Sequence, residues 1–347
     1  AFQQRDAAFF FGREELTRKA LSRMRRVRFL AVVGASGSGK SSLVRAGFIP
    51  QVRAGKLTGS ENWPIVIFTP GTTPIEALAL RLAPLLPGSD TSDAAQGLQQ
   101  RLFNPNAFDD VCALTLHNNP ANAQLLLVID QFEEVFTRSN AKERDAFLEL
   151  LTVAATSPDS RAQIIITMRA DFFGELSAYP DLAPLFEQDH LLIVTEMTTA
   201  NLLRVIQGPM QAVGMRYESG LVDRILEDVS SEPGSLPLLQ YALRELFKRR
   251  QGDMLTLAAY DDIGGVRRAL ARHAESIYTQ MDEREQQLTR KILLRLVEVN
   301  ASGEATRRRV RREEIYFQDI PDDEIQQVLS TLTAQDARLL IANRTPG

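Results

Sequence analysis

The fold is decided by residues 29–44, which read Phe29-Leu30-Ala31-Val32-Val33-Gly34-Ala35-Ser36-Gly37-Ser38-Gly39-Lys40-Ser41-Ser42-Leu43-Val44. The run from Phe29 to Val33 is apolar and long enough for one buried strand. Closely spaced glycines follow this run, and after them the apolar residues Leu43, Val44 and Phe48 have the spacing of one face of a helix. The pattern predicts a strand, a glycine-rich loop and a helix in immediate succession.

The loop fits the pattern GxxxxGK[ST] through Gly34, Gly39, Lys40 and Ser41. Glycines allow successive N–H groups to turn inward, and a β-carbon there would block the approach of phosphate oxygens. Lys40 is suited to the β/γ-phosphates and the Ser41 hydroxyl to Mg²⁺, while the following helix adds a partial positive charge. A glycine-rich turn without a ligand is the alternative, but the flanking strand and helix favour nucleotide binding. The candidate residues of the loop are Gly34, Ala35, Ser36, Gly37, Ser38, Gly39, Lys40, Ser41 and Ser42.

Composition narrows the class of protein. The chain has 347 residues, 44% of them hydrophobic, and a formal net charge of −4, which predicts two or three soluble domains. Its apolar runs are far shorter than the roughly 20 residues of a membrane span, so we expect a cytoplasmic protein without a membrane partner. A single cysteine, Cys112, excludes an internal disulfide, and the three scattered histidines lack metal-ligand spacing. Mild acidity gives no support for a nucleic-acid partner.

A second apolar run, Leu125–Ile129, ends in Asp130 and is followed by Glu133 and Glu134. Such a run is typical of a strand buried on both faces in a parallel sheet. In a phosphate-loop protein, an acid at this position holds Mg²⁺ directly or through water. One of the two glutamates is a candidate for orienting or deprotonating the attacking water. Alternatively, both are only acids of a helix's first turn.

A third run, Ala162–Met168, ends in Arg169. A strand here would deliver Thr167 and Arg169 to the carboxyl edge of the sheet, where ligands bind in open α/β folds. Arg169 is suited to the γ-phosphate, and the alternative is an ion pair with Asp171. With further strands at residues 63–69 and 190–195, the alternation predicts a parallel sheet with helices on both faces.

Strand signals stop after Thr198, so we predict three parts. They are a nucleotide-binding domain at 1–197, an all-helical lid at 198–281 and a winged helix at 282–347, which ends in a short strand at 338–341. The run from Arg307 to Arg312 holds five arginines and raises DNA binding as an alternative. A run this short is more often a solvated loop or a contact to another domain.

Together these motifs resemble the STAND class of P-loop ATPases, regulatory switch ATPases related to AAA+ proteins, and in particular the bacterial branch associated with WD40-type repeats. Phe10-Phe11-Gly12-Arg13-Glu14 resembles the family's hhGRE motif, and residues 234–238 resemble its GxP helix. The resemblance implies that Phe11, Gly12 and Arg13 border the adenine of ATP or ADP and that Pro237 packs on it. It also implies a winged-helix histidine that reads the β-phosphate, whereas this sequence has no histidine after His273.

The resemblance therefore implies an ATP/ADP-dependent molecular switch with slow, Mg²⁺-dependent hydrolysis. Its expected roles are signalling or antiviral defence, with self-association on activation and with effector and sensor domains outside these residues. Two alternatives remain, a winged-helix DNA-binding regulatory ATPase and a scaffold that holds nucleotide without turnover.

Overall fold

The computed structural model describes residues 2–87, 91–230, 236–299, 305–308, 310, 312–317, 320–333 and 339–340. They fall into two compact units, Ala1–Pro237 with Gln251–Met254, and Leu238–Arg250 with Leu255–Arg344. The first unit holds every residue of the predicted nucleotide site.

The first unit begins with a short 3-10 turn, Gln4–Phe9, and then alternates strands with helices. Its elements are α1 (Glu14–Met24), β1 (Phe29–Gly34), α2 (Lys40–Ser42), a π-helical segment (Leu43–Phe48), α3 (Ile49–Arg53), β2 (Ile65–Phe68), α4 (Pro74–Leu82), α5 (Thr91–Leu102), α6 (Phe108–Thr115), β3 (Leu125–Ile129), α7 (Glu134–Thr137), α8 (Ala141–Thr156), β4 (Ala162–Arg169), β5 (Leu191–Ile193), α9 (Thr199–Ala212), β6 (Arg216–Tyr217) and α10 (Leu221–Ser230).

The main sheet has five strands in the order β2-β3-β4-β1-β5, and all neighbouring pairs are parallel. Every residue of β1 and β3 is buried, so both faces of the sheet are covered. In β1 and β4, Gly34 lies beside Arg169, and in β3 and β4, Ile129 lies beside Ile166. The register brings the ends of three strands to one edge, and the predicted α/β fold with a parallel sheet is confirmed.

Helix α9 packs against the segment that precedes α1. A β-carbon on Gly12 would lie 2.7 Å from the Asn201 carbonyl oxygen and 2.9 Å from the Val205 side chain. A β-carbon on Gly208 would lie 2.6 Å from the ring of Phe11. Glycine at both positions therefore allows α9 to approach the Phe11–Arg13 segment closely.

The region from 198 to 281 is not all-helical, contrary to the sequence prediction. Strand β6 pairs with β7 (Met254–Leu255) in a two-stranded sheet, and the Arg216 N–H donates to the Asp253 carbonyl at 2.8 Å. Two-residue strands are too short to produce a readable alternation of side chains, which is why the sequence signal was missed. Helix α9 belongs to the first unit, while the predicted three-domain division at 197 and 281 stays a prediction.

The second unit is mainly helical and contains a short hairpin. Its elements are α11 (Leu236–Lys248, of which the first two residues belong to the first unit), α12 (Leu257–Ile263), α13 (Gly265–Gln280), α14 (Glu283–Arg295), β8 (Val297–Val299), β9 (Ala305–Arg307) and α15 (Asp322–Thr333). Asp282 caps α14 in a reciprocal box with Glu285. Its core joins α14 to α15 through Met281, Leu288, Ile292, Ile315, Ile325, Val328 and Leu332. The winged helix stays a prediction. Of the predicted strand at 338–341, residues 338 and 341 lie outside the described residues, and Leu339 and Leu340 form a bend rather than a strand.

We predict that Gly208→Ala lowers the free energy of unfolding by about 1–3 kcal/mol, because the added methyl group would overlap the Phe11 ring. Gly97→Ala is the matched control, since α5 leaves open space around that position. The control is expected to gain up to about 1 kcal/mol from helix propensity. Urea unfolding followed by circular dichroism measures both variants, and equal effects would contradict the close packing of α9.

Candidate functional site

The loop after β1 has the backbone needed to surround an anion. Gly37 and Gly39 adopt φ angles of 76° and 92°, which side chains other than glycine rarely tolerate. A β-carbon on Gly34 would lie 2.7 Å from the Val194 carbonyl oxygen, so this position also requires glycine. The loop geometry fits the predicted phosphate site.

Lys40 is buried inside this loop. Its ammonium group donates to the carbonyl oxygens of Gly34 at 2.9 Å and Ala35 at 2.7 Å. Burial lowers the pKa of Lys40, and the negative charge of Glu133 opposes that shift. Asp130 and Asp171 also act to raise the pKa of Lys40, and Arg169 acts to lower it.

Asp130 is held by two hydroxyl groups at the end of β3. The side chains of Ser41 and Thr167 each donate to Asp130 Oδ1 at 2.6 Å. The buried carboxylate and the Ser41 hydroxyl supply adjacent oxygen ligands, the type that Mg²⁺ prefers. Mg²⁺ usually takes only one or two protein oxygens and fills its remaining positions with phosphates and water. Asp130 and Ser41 therefore fit the predicted metal site.

Arg45 also binds Asp130, a contact that the sequence motifs did not predict. Its Nε and Nη2 atoms each lie 3.0 Å from Asp130 Oδ2, and its Nη1 donates to Gln3 Oε1 at 3.2 Å. The spacing in the sequence could have indicated this contact, because Arg45 lies four residues after Ser41 and therefore on the same face of a helix.

A strained turn after Asp130 directs the following acids. Gln131 has a φ angle of 58°, and its N–H donates to Thr167 Oγ1 at 3.1 Å. The Phe132 N–H donates to the Thr167 carbonyl at 2.8 Å. Thr167 thus holds both the carboxylate of Asp130 and the backbone that leads to Glu133.

The two glutamates that the sequence analysis left open have different surroundings. Glu133 Oε2 accepts from the backbone N–H of Arg169 at 3.3 Å, at the carboxyl edge of the sheet. Burial raises the pKa of Glu133, partly offset by hydrogen bonds and by the charges of Lys40 and Arg169. Glu134 is buried in an ion pair with Arg138, at 3.0 Å. This geometry favours Glu133 over Glu134 for contact with the loop.

Arg169 makes the ion pair that the sequence analysis gave as the alternative. Its Nε donates to Asp171 Oδ1 at 3.0 Å, and its Nη2 contacts Asp171 Oδ2. This interaction holds the pKa of Asp171 below its ordinary value. The guanidinium also lies 5.5 Å from the centre of the Phe172 ring. Arg169 thus lies at the predicted edge, with its charge engaged by a neighbour.

Arg13 connects the segment before α1 to the phosphate loop. Its Nη2 donates to the Ser38 carbonyl at 3.0 Å, and burial lowers the pKa of its guanidinium. Arg13 Nε and Ser38 Oγ are buried and, within the described residues, have no hydrogen-bond partner. Two orphaned polar atoms beside the loop fit a ligand that supplies the missing partners.

The remaining candidates are placed less specifically. Ser36 is exposed in the loop, and Ser42 Oγ accepts from the Phe2 N–H at 3.1 Å, so this hydroxyl faces the N-terminal residues. Pro237 is exposed in the first turn of α11. The roles of all the site residues toward a nucleotide stay predictions.

Fold and site together define a P-loop NTPase. The sequence matches the family nSTAND1, Novel STAND NTPase 1, over residues 1–346, so the chain belongs to this family. The predicted STAND resemblance is confirmed, and no functionally curated protein matches the sequence.

Two solved structures share the fold. The Walker-type ATPase of Pyrococcus abyssi has a TM-score of 0.50 at 14% identity, with 99% of this chain and 93% of that chain covered. The ORC1 protein of Aeropyrum pernix, solved in complex with DNA, has a TM-score of 0.51 at 13% identity, with 93% of this chain and 83% of that chain covered. Across the described ranges, the helices are too short or too polar to cross a bilayer.

We predict that Thr167→Val lowers the free energy of unfolding by about 1–3 kcal/mol, because it removes the buried hydroxyl that donates to Asp130 and leaves the Gln131 N–H without its acceptor. Thr167→Ser keeps the hydroxyl and loses only one methyl group, with an expected cost of about 1 kcal/mol. Urea denaturation compares the variants. Equal destabilisation by valine and serine would show that the hydroxyl contributes nothing.

We predict that Glu133→Gln raises the unfolding temperature at neutral pH. Because burial raises the folded-state pKa of Glu133, its contribution to stability falls as pH rises through that pKa. The gain should disappear when the pH drops below the unfolded-state pKa of about 4.3, where wild-type Glu133 is protonated in both states. Glu134→Gln is the control, and loss of its pair with Arg138 should lower the unfolding temperature. An unchanged Glu133→Gln protein across this range would contradict the prediction.

Proposed function

We propose that the chain is an ATP/ADP-dependent molecular switch that controls the self-association of a larger signalling or defence protein. The observation that carries this proposal is the convergence of Lys40, Asp130 and Glu133 at the carboxyl edge of the sheet, where hydrogen bonds and the strand register bring them together. Membership of the NTPase family supports the choice of a nucleotide as ligand.

The site residues divide the chemistry between them. Lys40 binds the β/γ-phosphates, and Asp130 with Ser41 holds Mg²⁺, which when bound neutralises charge on the phosphate oxygens. Glu133 orients the attacking water and accepts its proton, because it contacts the Arg169 backbone at the edge of the sheet, whereas Glu134 is paired with Arg138. Phe11, Gly12 and Arg13 border the adenine, with Pro237 as a further contact.

The ion pair between Arg169 and Asp171 supports slow turnover of ATP. Stabilisation of the transferring γ-phosphate by this side chain requires its guanidinium to leave Asp171. The rate of hydrolysis is then limited by this movement of Arg169, as in enzymes whose rate is set by a conformational step. ATP is retained long enough to favour a different state from ADP, which is the requirement for a switch.

The three predicted parts suit such a switch. The domain at 1–197 binds nucleotide, and the parts at 198–281 and 282–347 respond to it. Sensor and effector belong to other parts of the larger protein, including WD40-type repeats and antiviral effectors. Arg308, in the run considered for DNA, is paired with Glu314 at 2.7 Å, so we propose no nucleic-acid function.

The test identifies the nucleotide that each variant releases on denaturation and measures the molar mass of each variant in solution. We expect denatured wild-type protein to release ADP, and light scattering to detect assembly with ATP but not with ADP. Glu133→Gln should lower ATP turnover by about 10²–10⁴-fold and stay assembled in ATP, whereas Glu134→Gln should keep turnover within a few-fold.

Lys40→Ala supplies the control for binding and should release no nucleotide from a folded protein. Tight ATP binding by folded Lys40→Ala would overturn the phosphate-loop assignment. A wild-type protein that binds ATP without a change in mass would overturn the switch while leaving nucleotide binding intact.

A further inference from the structure

Arg45 links the metal site to the start of the chain. One side of its guanidinium contacts Asp130 Oδ2 twice, and its remaining nitrogen holds Gln3 Oε1. Its side chain is about a quarter exposed at 23%, while that of Asp130 is 9% exposed, so the ion pair is largely screened from water. Arg45 therefore occupies one oxygen of the carboxylate proposed to hold the cation.

The N-terminal segment, residues 2–10, is tied to the same stretch of helix by further contacts. The Phe2 N–H donates to Ser42 Oγ at 3.1 Å, and the rings of Phe2 and Phe10 meet edge to face at 5.8 Å. A β-carbon on Gly47 would lie 3.0 Å from the Phe10 ring, so this glycine lets the segment sit on the helix. Arg45 is the member of these contacts that also reaches the metal site.

The helix is locally π-helical between Leu43 and Phe48, the stretch that carries both Arg45 and Gly47. Such segments are wider than an α-helix and occur frequently at functional sites. Within this segment Arg45 contacts Asp130, and Gly47 lies close to Phe10. A rearrangement of Arg45 would therefore act directly on the packing of residues 2–10.

We propose that Arg45 competes with the divalent cation for Asp130, so that filling the metal site releases the N-terminal segment. This inference rests on the proposed function, since it takes Asp130 and Ser41 as cation ligands. A divalent ion there shares one carboxylate with a guanidinium, and the two positive charges repel. Arg45 must weaken its pair with Asp130, and its bond to Gln3 is lost with the movement. Linkage makes the effect reciprocal, so loosening the segment strengthens cation binding.

The test measures binding of a fluorescent ATP analogue against free Mg²⁺. Arg45→Gln removes the competing charge and should lower the half-saturating Mg²⁺ concentration about tenfold, while Arg45→Lys keeps the charge and should change it less. Gln3→Ala should lower it by a smaller factor through linkage. Arg53→Gln, on the exposed end of α3, is the control and should match the wild type.

Hydrogen exchange of residues 2–10 provides a readout independent of turnover. In the wild type, Mg²⁺ with ATP should speed exchange in this segment, including the Phe2 amide that donates to Ser42. In Arg45→Gln, exchange should be fast already and should not respond to Mg²⁺. Thermal unfolding without metal identifies variants that fail to fold, and Gln3→Ala then carries the test, because it leaves Asp130 untouched.

The outcomes separate this inference from the proposed function. Mg²⁺-dependent binding by the wild type with an unchanged Mg²⁺ requirement in Arg45→Gln and Gln3→Ala would overturn the competition alone. Slower exchange of residues 2–10 on adding Mg²⁺ and ATP would also overturn it. A folded wild type that binds no ATP at any Mg²⁺ concentration would overturn the proposed function, and this inference with it.

Discussion

The buried carboxylate of Asp130 is the constraint on which the site depends. A buried charge is costly unless donors surround it, and three residues distant in sequence supply them. Ser41 and Thr167 share one oxygen, and Arg45 takes the other. These contacts join the phosphate-loop helix to the ends of β3 and β4. The same carboxylate is thus a structural junction and the proposed cation ligand, so occupancy of the site acts directly on the fold around it.

The turn after this carboxylate decides which acid faces the loop. Thr167 accepts from the Gln131 N–H and so supports a left-handed residue directly after the strand. The chain then places Glu133 against the Arg169 backbone and turns Glu134 into an ion pair on its own helix. The two adjacent glutamates therefore have different neighbours, and we propose different roles for them.

Close packing by glycine connects the site to the rest of the first unit. Gly12 and Gly208 allow α9 to approach the segment that carries Phe11 and Arg13. Arg13 in turn holds the phosphate loop through the Ser38 carbonyl. Arg13 and Gly12 are adjacent in the chain, so few groups separate the phosphate loop from α9. This packing provides a physical route by which a bound nucleotide can affect a neighbouring helix.

The sequence by itself determined the strand, loop and helix around Lys40, the parallel sheet and the position of Asp130. These features depend on glycine pattern and apolar runs, which are local and readable along the chain. Only the tertiary structure decided that Glu133 faces the loop, that Arg169 pairs with Asp171 and that Arg45 binds the carboxylate. Each of those outcomes depends on which side chains the strand register and the turns bring within hydrogen-bond distance. The sequence alone cannot distinguish the roles of two adjacent residues of the same type, such as Glu133 and Glu134.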